Sequence, residues 1–597
     1  MKIKKERVII ILSVILSLII SNFTWDLIKL DFEDVGIIGV YSQNEYNDKN
    51  DILRYITFVG LPVLVFLILK FLYRKNSINL FLNFFKFSNL KHNFSKNKFL
   101  NYMFVFLSII IIFEFLSVDF PEYLVDSFHE GQKLSSAYRF YLDNSLWSRS
   151  YITVGIFYET LTSAIFWSFF DNVSIGASRY SVIVYIFIFK IALLYFLYIQ
   201  TQITNFNHLK QNIYFIVNSI LVFHIINYDL GSIDLISYRD LPILLMAILF
   251  AKLTYTKNSY WILTLISILS LFSLLWSIDR GLICNLLIVV IFIYLFLEKR
   301  NNEIFIILLT TIFLWLVFYF TFKGEFMFFL KNTYLVFKEM SYVHGLIHPH
   351  LFSDEQNSSR ATKTILLIVM ILLISINLIF KKNYPNNFSK LIIFLSVIAF
   401  GSYLYALGRS DGGHIKNSFG FPLIAIISYL IYALLKKNFF NGKKLLISFG
   451  LVFTIFICFN VQIKPISILK YMNRLNNYVH LSDEYFLNDK EMALLNETKK
   501  ISKKFDCIHL FSNDAIFYYL LRKKSCTKFY FIWSASSKYN QKRMISELEN
   551  TNLIIAGGDK NDWDLPLEKK INLVHDYINI NYQVLKKLYN WTIYIKN

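Results

Sequence analysis

The feature that most constrains this chain is a series of apolar blocks that recur along most of its length. Each block has about 17–20 residues, the length that an α-helix needs to span the hydrocarbon core of a bilayer. Hydrophobic residues make up 55% of the 597 residues and charged residues only 17%. A soluble domain carries about 25% charged residues, so a soluble, collagenous or disordered protein is excluded. The sequence therefore predicts a polytopic all-α membrane protein.

The net charge of +20 comes from 61 basic and 41 acidic side chains. The lysines cluster between apolar blocks, which is typical of loops retained on the cytoplasmic side of a membrane. We find no nucleic-acid-binding motif and expect no nucleic-acid partner. The richness in Lys, Asn, Ile and Phe is typical of an AT-biased bacterial genome, so we expect a multi-pass protein of the bacterial inner membrane.

The distribution of charge predicts about 13 spanning helices, with the N-terminus inside and the C-terminus outside. The number and orientation of the helices depend on the block 154–170, which is long enough to span but has polar residues in its middle. Its residues Phe157, Leu161, Ile165 and Phe169 repeat every four positions, as in a helix that lies in the membrane interface. If this block does not span, the later lysine-rich turns all lie inside. The spanning helices are then expected near residues 8–25, 52–73, 100–118, 180–200, 212–228, 240–254, 260–277, 282–298, 304–322, 362–380, 391–407, 419–436 and 445–462.

Composition divides the chain into three domains. Residues 1–99 form an N-terminal transmembrane hairpin and a basic cytoplasmic loop. Residues 100–462 form a transmembrane domain with a long first outer loop at 119–179. Residues 463–597 are mixed polar and apolar, and they predict a small extracytoplasmic α/β domain.

The C-terminal domain contains two short apolar runs, Cys507–Phe511 and 553–556, which predict strands. Cys507 and Cys526 are the only cysteines outside the predicted helices. Because topology places them in an oxidising compartment, we expect a disulfide between them.

A first polar cluster lies in the long outer loop and contains Asp126, His129 and Glu130. If this segment is helical, Asp126 and Glu130 share a face at i and i+4, with His129 beside them. Two close carboxylates suit a general acid and base, or the coordination of a divalent cation such as Mg²⁺ or Mn²⁺. An ordinary solvated loop is the alternative. No cofactor is required by the sequence, and a cation at Asp126 and Glu130 stays open.

Charged side chains also gather in three later outer loops: a helix start, a tight turn between two helices, and the glycine-containing segment 408–416. Arginine, histidine and lysine are suited to binding a phosphate, and glycines let backbone N–H groups approach it. Helix capping, turn closure and a plain polar loop are the alternatives. The residues are Arg239 and Asp240, then Arg280, then Arg409, Asp411, His414 and Lys416.

A further segment, 323–361, is expected to be a long outer loop. It contains His344, His348 and His350, whose spacing does not match a zinc site. Together, the outer loops suit a transfer reaction on a lipid phosphate at the membrane surface. The acidic first loop would offer a base, and the basic loops would offset the charge of a phosphate leaving group.

The order of these features resembles the GT-C superfamily of polyprenyl-phosphate-sugar-dependent glycosyltransferases, in particular the bacterial protein-mannosyltransferase and aminoarabinose-transferase branch. An acidic motif, at 126–130, follows a helix into a long first outer loop. Aromatic and amphipathic segments follow at 147–170, and the loop ends on Arg179 at the start of the next helix. An Arg-Asp motif at 239–240 then opens a later helix, and a soluble outer domain follows the last helix. The resemblance covers roughly residues 100–460.

The chain departs from this family in two places. The family commonly has adjacent Asp and Glu in the first loop, where this chain has His129 and Glu130, so the identity of the basic carboxylate stays open. The helices before residue 100 look like an extra N-terminal hairpin.

The resemblance implies a GT-C-like membrane enzyme that transfers a hexosyl or pentosyl group with inversion. The donor would be a sugar on undecaprenyl or a similar phosphate, and the acceptor an envelope glycan, lipid or protein. The lipid phosphate would depart into Arg280, Arg409, His414 and Lys416. Two alternatives stay open: a transporter or flippase of lipid-linked sugars, and an enzyme like an O-antigen polymerase or ligase.

Overall fold

The computed structural model describes residues 2–73, 97–225, 237–256, 259–380, 386–437, 464–558 and 565–597. All the predicted spanning segments within these ranges form α-helices, and the last predicted segment, 445–462, lies outside the described residues. The helices are Lys2–Phe23, Lys49–Tyr73, Lys98–Ser117, Ile175–Gln202, His208–Ile225, Leu241–Leu253, Tyr260–Trp276, Ile278–Leu297, Asn301–Thr321, Ser358–Ile379, Asn387–Leu407 and Gly420–Lys436.

Within the described residues, 8 helices are long and apolar enough to cross a membrane. Two further apolar helices, Val8–Phe23 and Tyr260–Trp276, are shorter. The chain is therefore a multi-pass membrane protein with a mostly helical fold, as the sequence predicted. The total of 13 spans stays a prediction.

The segment 154–170 forms a π-helix at Phe157–Leu161 that continues as an α-helix at Thr162–Phe170, of 5 and 9 residues. This is too short to cross a bilayer. Phe169 is 77% exposed, whereas Trp167, on the opposite side, is buried. The helix is therefore amphipathic, as expected for a segment that does not span.

The expectation of a long loop over 323–361 is wrong for its first half. Residues Lys323–His344 form a helix that is not among the candidate spans. Its buried residues, such as Phe329, Val336 and Val343, recur at helical spacing, and they pack against neighbouring segments. The intervening lysines and glutamates lower the mean hydropathy, and this conceals the periodicity in the sequence. Four further helices lie between the long ones and before the C-terminal domain. They are Val40–Gln43, His129–Asp143, the 3₁₀-helix Tyr238–Asp240, and Gly412–Asn417.

The C-terminal domain is built on a five-stranded sheet with the order β2-β1-β3-β5-β4. Strands β1, β2 and β3 are parallel, and β5 pairs antiparallel with both β3 and β4. The strands are β1 Cys507–Phe511, β2 Lys524–Ser525, β3 Leu553–Gly557, β4 Tyr582–Leu588 and β5 Trp591–Lys596. The helices are Pro465–Leu469, Tyr471–Val479, Asp483–Phe486, Asp489–Ser502, Ile516–Leu520, Ile532–Ala535, Lys538–Leu548, Leu567–Lys570 and Asn572–Asn581.

The predicted disulfide joins Cys507, at the start of β1, to Cys526, directly after β2, with the two Cα atoms 5.1 Å apart. The apolar runs predicted as strands are β1 and β3. The final hairpin of β4 and β5 was not expected from the sequence.

The C-terminal domain packs directly on the first outer loop and shares a hydrophobic core with it. Trp167 stacks on Tyr519 with ring centroids 5.5 Å apart, and Phe128 meets Trp533 at 5.7 Å. A Cβ atom on Gly131 would lie only 2.6 Å from the backbone nitrogen of Ile516. This close approach fixes the first turn of the helix His129–Asp143, which carries the acidic motif.

Candidate functional site

A cavity of about 930 Å³ lies where the first outer loop, the ends of several long helices and the C-terminal domain meet. It brings together seven of the ten residues predicted for catalysis and substrate binding. Asp240 and Asp411 do not line it but pair with residues that do, and Lys416 does not line it. The lining residues among those predicted are Asp126, His129, Glu130, Arg239, Arg280, Arg409 and His414.

Asp126 pairs with His129 rather than facing Glu130 across a helix. The helix begins only at His129, so the expected i, i+4 arrangement of the two carboxylates is wrong. One carboxylate oxygen of Asp126 lies 2.8 Å from Nδ1 of His129, and the other accepts the backbone N–H groups of Phe128 and His129. Burial opposes ionisation of Asp126, but the hydrogen bond and charge of His129 outweigh it and lower the pKa of Asp126 to about 2. Asp126 is therefore an ionised group that orients an imidazole.

Glu130 forms a two-point ion pair with Arg179, the residue that ends the first loop. The guanidinium donates from Nε to Oε1 and from Nη2 to Oε2, each at 2.8 Å. Arg179 also donates to the carbonyl oxygens of Pro121 and Tyr123, and its side chain is only 4% exposed. A bidentate pair of this kind is strongly directional. The Glu130–Arg179 pair joins the two ends of the first outer loop, so Glu130 has a structural role.

Arg239, Asp240, Asp279 and Arg280 form one alternating network beside the cavity. Asp279 accepts from Arg239 Nη2 at 2.8 Å and also from Arg280, while Arg280 Nε donates to Asp240 at 2.7 Å. The ring of Tyr405 lies 3.9 Å from the Arg280 guanidinium. Both arginines are thus already neutralised by carboxylates, which weakens their predicted role as the main phosphate ligands.

The segment 408–416 is organised by Asp411, which caps the helix Gly412–Asn417 by accepting the backbone N–H of His414. Its carboxylate also contacts Arg409 Nε and His414 Nδ1, each at 2.8 Å. The space above Gly412 is filled by the side chains of Arg360 and Asn357. This glycine therefore allows close packing, and it does not open the backbone to a phosphate.

Lys133 is a cationic residue of the cavity that was not predicted from the sequence. Its Nζ donates to the hydroxyl of Tyr238 at 2.9 Å and lies 4.1 Å from the ring centroid of Tyr158. Burial opposes its charge, but the two tyrosine hydroxyls outweigh burial and raise the pKa of Lys133. Among the ion pairs of the described residues, none involves Lys133, so its charge faces the cavity without a carboxylate. Its spacing of three residues from Glu130 on one helix face was the signal available in the sequence.

The cavity continues as an apolar arm between two candidate spans, Ile175–Gln202 and Ile278–Leu297. Leu282 and Leu286 on this arm are 41% and 46% exposed, so the arm is not filled by protein. Its other lining residues are Val182, Ile183, Ile186, Ile283 and Leu404.

The described residues contain no group of three or more His, Cys, Asp or Glu side chains that converge on one point. Asp126 is occupied by His129 and two amides, and Glu130 by Arg179. The two carboxylates therefore do not form a cation site as they stand, and we derive no step through a metal.

The fold and the cavity define a multi-pass membrane protein with an amphiphilic cavity, charged at one end and apolar between its long helices. No family model matches the sequence, and no curated protein matches it. The chain is similar in shape to the crystal structure of ArnT from Cupriavidus metallidurans bound to undecaprenyl phosphate. The TM-score is 0.43 and the identity 9%, over 83% of this chain and 98% of that one. For the same protein in the apo state the TM-score is 0.32 and the identity 9%, over 83% and 97%.

Proposed function

We propose that this protein is a membrane glycosyltransferase that moves a sugar from a polyprenyl-phosphate donor to an envelope acceptor. The observation that carries the proposal is the shape and chemistry of this cavity. Its apolar arm fits a lipid chain, its charged end fits a phosphate, and an Asp–His pair stands beside both. Such a cavity suits a substrate whose lipid chain and charged head group are bound at the same time. The order of motifs along the chain, which resembles the GT-C superfamily, supports the same function.

In this proposal Lys133 holds the donor phosphate, with the hydroxyls of Tyr158 and Tyr238 as further ligands. Lys133 is suited to this role because its charge has no carboxylate partner in the cavity. Arg239 lies 5.5 Å from the ring of Tyr158, with its own charge balanced by Asp279. A fixed cation next to the leaving oxygen stabilises the charge that develops there as the sugar–phosphate bond breaks.

The reaction then proceeds by displacement at the anomeric carbon. The acceptor hydroxyl oxygen bonds to this carbon from the face opposite the phosphate, and the carbon–oxygen bond to phosphate breaks. The bonding electron pair stays on the lipid phosphate, and the hydroxyl proton passes to His129. Asp126 holds the His129 ring through Nδ1 and stabilises the imidazolium that forms. Attack from the opposite face inverts the anomeric centre.

The direct test measures transfer from a panel of donors. Purified protein in lipid nanodiscs is incubated with polyprenyl-phosphate sugars and an extract of the bacterial envelope as acceptor, and the release of lipid phosphate is measured. Asp126→Asn is expected to lower release by about two to four decades, the usual range for loss of acid–base catalysis. Lys133→Met is expected to raise the donor KM. Asp143→Asn is the matched control for Asp126→Asn, because Asp143 lies in the same outer loop but bonds Arg139 outside the cavity.

Intact donor that crosses the bilayer without cleavage would instead support the transporter or flippase. Lengthening of a lipid-linked glycan would support the polymerase or ligase.

We also propose that the C-terminal domain lies on the extracytoplasmic side of the bacterial inner membrane. This placement follows from the lysine-rich turns, which then all lie inside. Alkaline phosphatase fused after residue 470 is expected to be active, and fused after Lys299 inactive. The reverse pattern would contradict this placement of the C-terminal domain.

A further inference from the structure

The helix Lys323–His344 forms one wall of the cavity and ends there in a histidine. Its cavity-lining residues recur at intervals of three and four, so they share one helix face. Ser341 also donates to Asp48 of the N-terminal region, so the wall is held from that side. The lining residues are Val336, Phe337, Met340, Ser341 and His344.

His344 is only 8% exposed, and neither of its ring nitrogens has a hydrogen-bond partner among the described residues. Because His344 lines the cavity and Nδ1 is enclosed, Nε2 is the nitrogen that a ligand in the cavity can reach. Buried polar groups in proteins are nearly always hydrogen-bonded, so a cavity-facing Nε2 without a protein partner points to a ligand there.

Cationic and titratable groups surround this imidazole. Burial lowers its pKa well below the usual value, and the nearby charges of Arg409, Lys570, His414 and His129 lower it further. The ring is therefore neutral near pH 7. Lys570 donates to the carbonyl oxygen of Val343 at 2.7 Å, which ties the end of the helix to the C-terminal domain.

The surroundings of His344 differ from those of Lys133. Lys133 contacts Tyr158 and Tyr238, whereas the ring centroid of His344 lies 5.6 Å from that of Trp533, and the charge of His129 acts on it. The cavity thus offers one region with an unpaired cation and another with a neutral imidazole close to the Asp–His pair. A transferase needs two such regions, one for the leaving phosphate and one for the incoming nucleophile.

We propose that His344 marks the acceptor subsite, where its Nε2 forms a hydrogen bond with a neutral hydroxyl group of the acceptor. This inference rests on the proposed function and adds to it the residue that binds the acceptor. A hydroxyl group carries no charge and suits a neutral imidazole, so the acceptor is a hydroxyl-bearing glycan, lipid or protein.

The test separates transfer from hydrolysis with one radiolabelled polyprenyl-phosphate sugar. Native membranes supply the acceptor, label in the envelope fraction reports transfer, and free sugar reports attack by water. His344→Phe keeps an aromatic ring against Trp533 but has no ring nitrogen. It is expected to lower transfer about tenfold, the effect of losing one hydrogen bond, with donor KM and free-sugar release unchanged. His344→Ala is expected to do the same. His344→Gln places a polar atom near Nε2 and is expected to keep most of the transfer.

The control is His480→Phe, since His480 is exposed and outside the cavity. Equal losses of transfer and hydrolysis in the Phe and Ala variants, or no loss in either, would overturn the acceptor subsite alone. Faster transfer to added octylamine than to octyl glucoside would overturn the hydroxyl class. If the natural chain released no lipid phosphate from any donor, the proposed function itself would fail, and the subsite with it.

Discussion

Glu130→Gln tests whether this carboxylate is a structural partner or the catalytic base. The substitution keeps the shape of the side chain and removes the charge that faces Arg179. Because the two-point pair closes the first loop, we expect the variant to lose stability as well as activity. A base that acted on substrate alone would lose activity and keep its stability.

The size of the effect follows from the geometry of the pair. Both hydrogen bonds are 2.8 Å long, and the Arg179 side chain is 4% exposed while that of Glu130 is 24% exposed. Removing one partner of a fully buried ion pair costs about 3–5 kcal/mol. Glutamine keeps one oxygen for one of the two bonds, and Glu130 is partly solvated. We therefore expect the free energy of unfolding to fall by about 2–3 kcal/mol.

The assay is the apparent Tm of the detergent-solubilised protein, followed by tryptophan fluorescence. Glu130→Gln and Arg179→Gln are each expected to lower it, and the double variant is expected to lower it no further than the worse single variant, because both remove the same interaction. Glu122→Gln, an exposed carboxylate of the same loop, is the control. An unchanged Tm in Glu130→Gln together with complete loss of transfer would refute this reasoning and make Glu130 the base.

Three further predictions concern the same region. Gly131→Ala places a Cβ 2.6 Å from a backbone nitrogen of the C-terminal domain and is expected to lower stability by about 1–3 kcal/mol, whereas Gly60→Ala, with nothing within 4 Å, is expected to be neutral or stabilising by the same Tm measurement. The pKa of Asp126, lowered to about 2 from its usual 3.8, means that the stability it contributes is present above about pH 3.8 and is lost as pH falls through 2. Asp126→Asn should therefore flatten the fall in apparent Tm between about pH 3.8 and 2, and an unchanged fall would contradict this. Denatured, unreduced protein is expected to show no reactive thiol at Cys507 or Cys526 by maleimide labelling, and labelling of both would disprove the disulfide.

Much of the architecture follows from local sequence pattern. Blocks of apolar residues predicted the helices within a few residues, because helix formation in a bilayer depends mainly on length and hydropathy. The segment 154–170 was separated from the spans by the placement of the later lysines and by its four-residue repeat, and it does form two short helices. Strands β1 and β3 were predicted from short apolar runs. The helix Lys323–His344 was missed, because its lysines and glutamates made a packed helix look like a polar loop.

The pairing of the charged residues could not be predicted from the sequence. The sequence placed Asp126, Glu130, Arg239 and Arg409 in loops on one side of the membrane, and these residues do line one cavity. It did not show which charges neutralise each other, since Glu130 and Arg179 are 49 positions apart. Spacing along a helix predicts neighbours only within a turn or two.

The sequence by itself therefore determined the kind of molecule: a helical membrane protein with a small C-terminal α/β domain and a disulfide within it. Tertiary structure alone decided the chemistry of the cavity. It engaged Glu130 in an ion pair, turned Asp126 towards His129, left Lys133 without a carboxylate and His344 without a hydrogen bond. The physical reason is that the formation of a membrane-spanning helix depends on the average hydropathy of about 20 consecutive residues, which can be read from the sequence. The charge and protonation of a buried group, in contrast, depend on individual atoms a few ångströms away, contributed by distant parts of the chain.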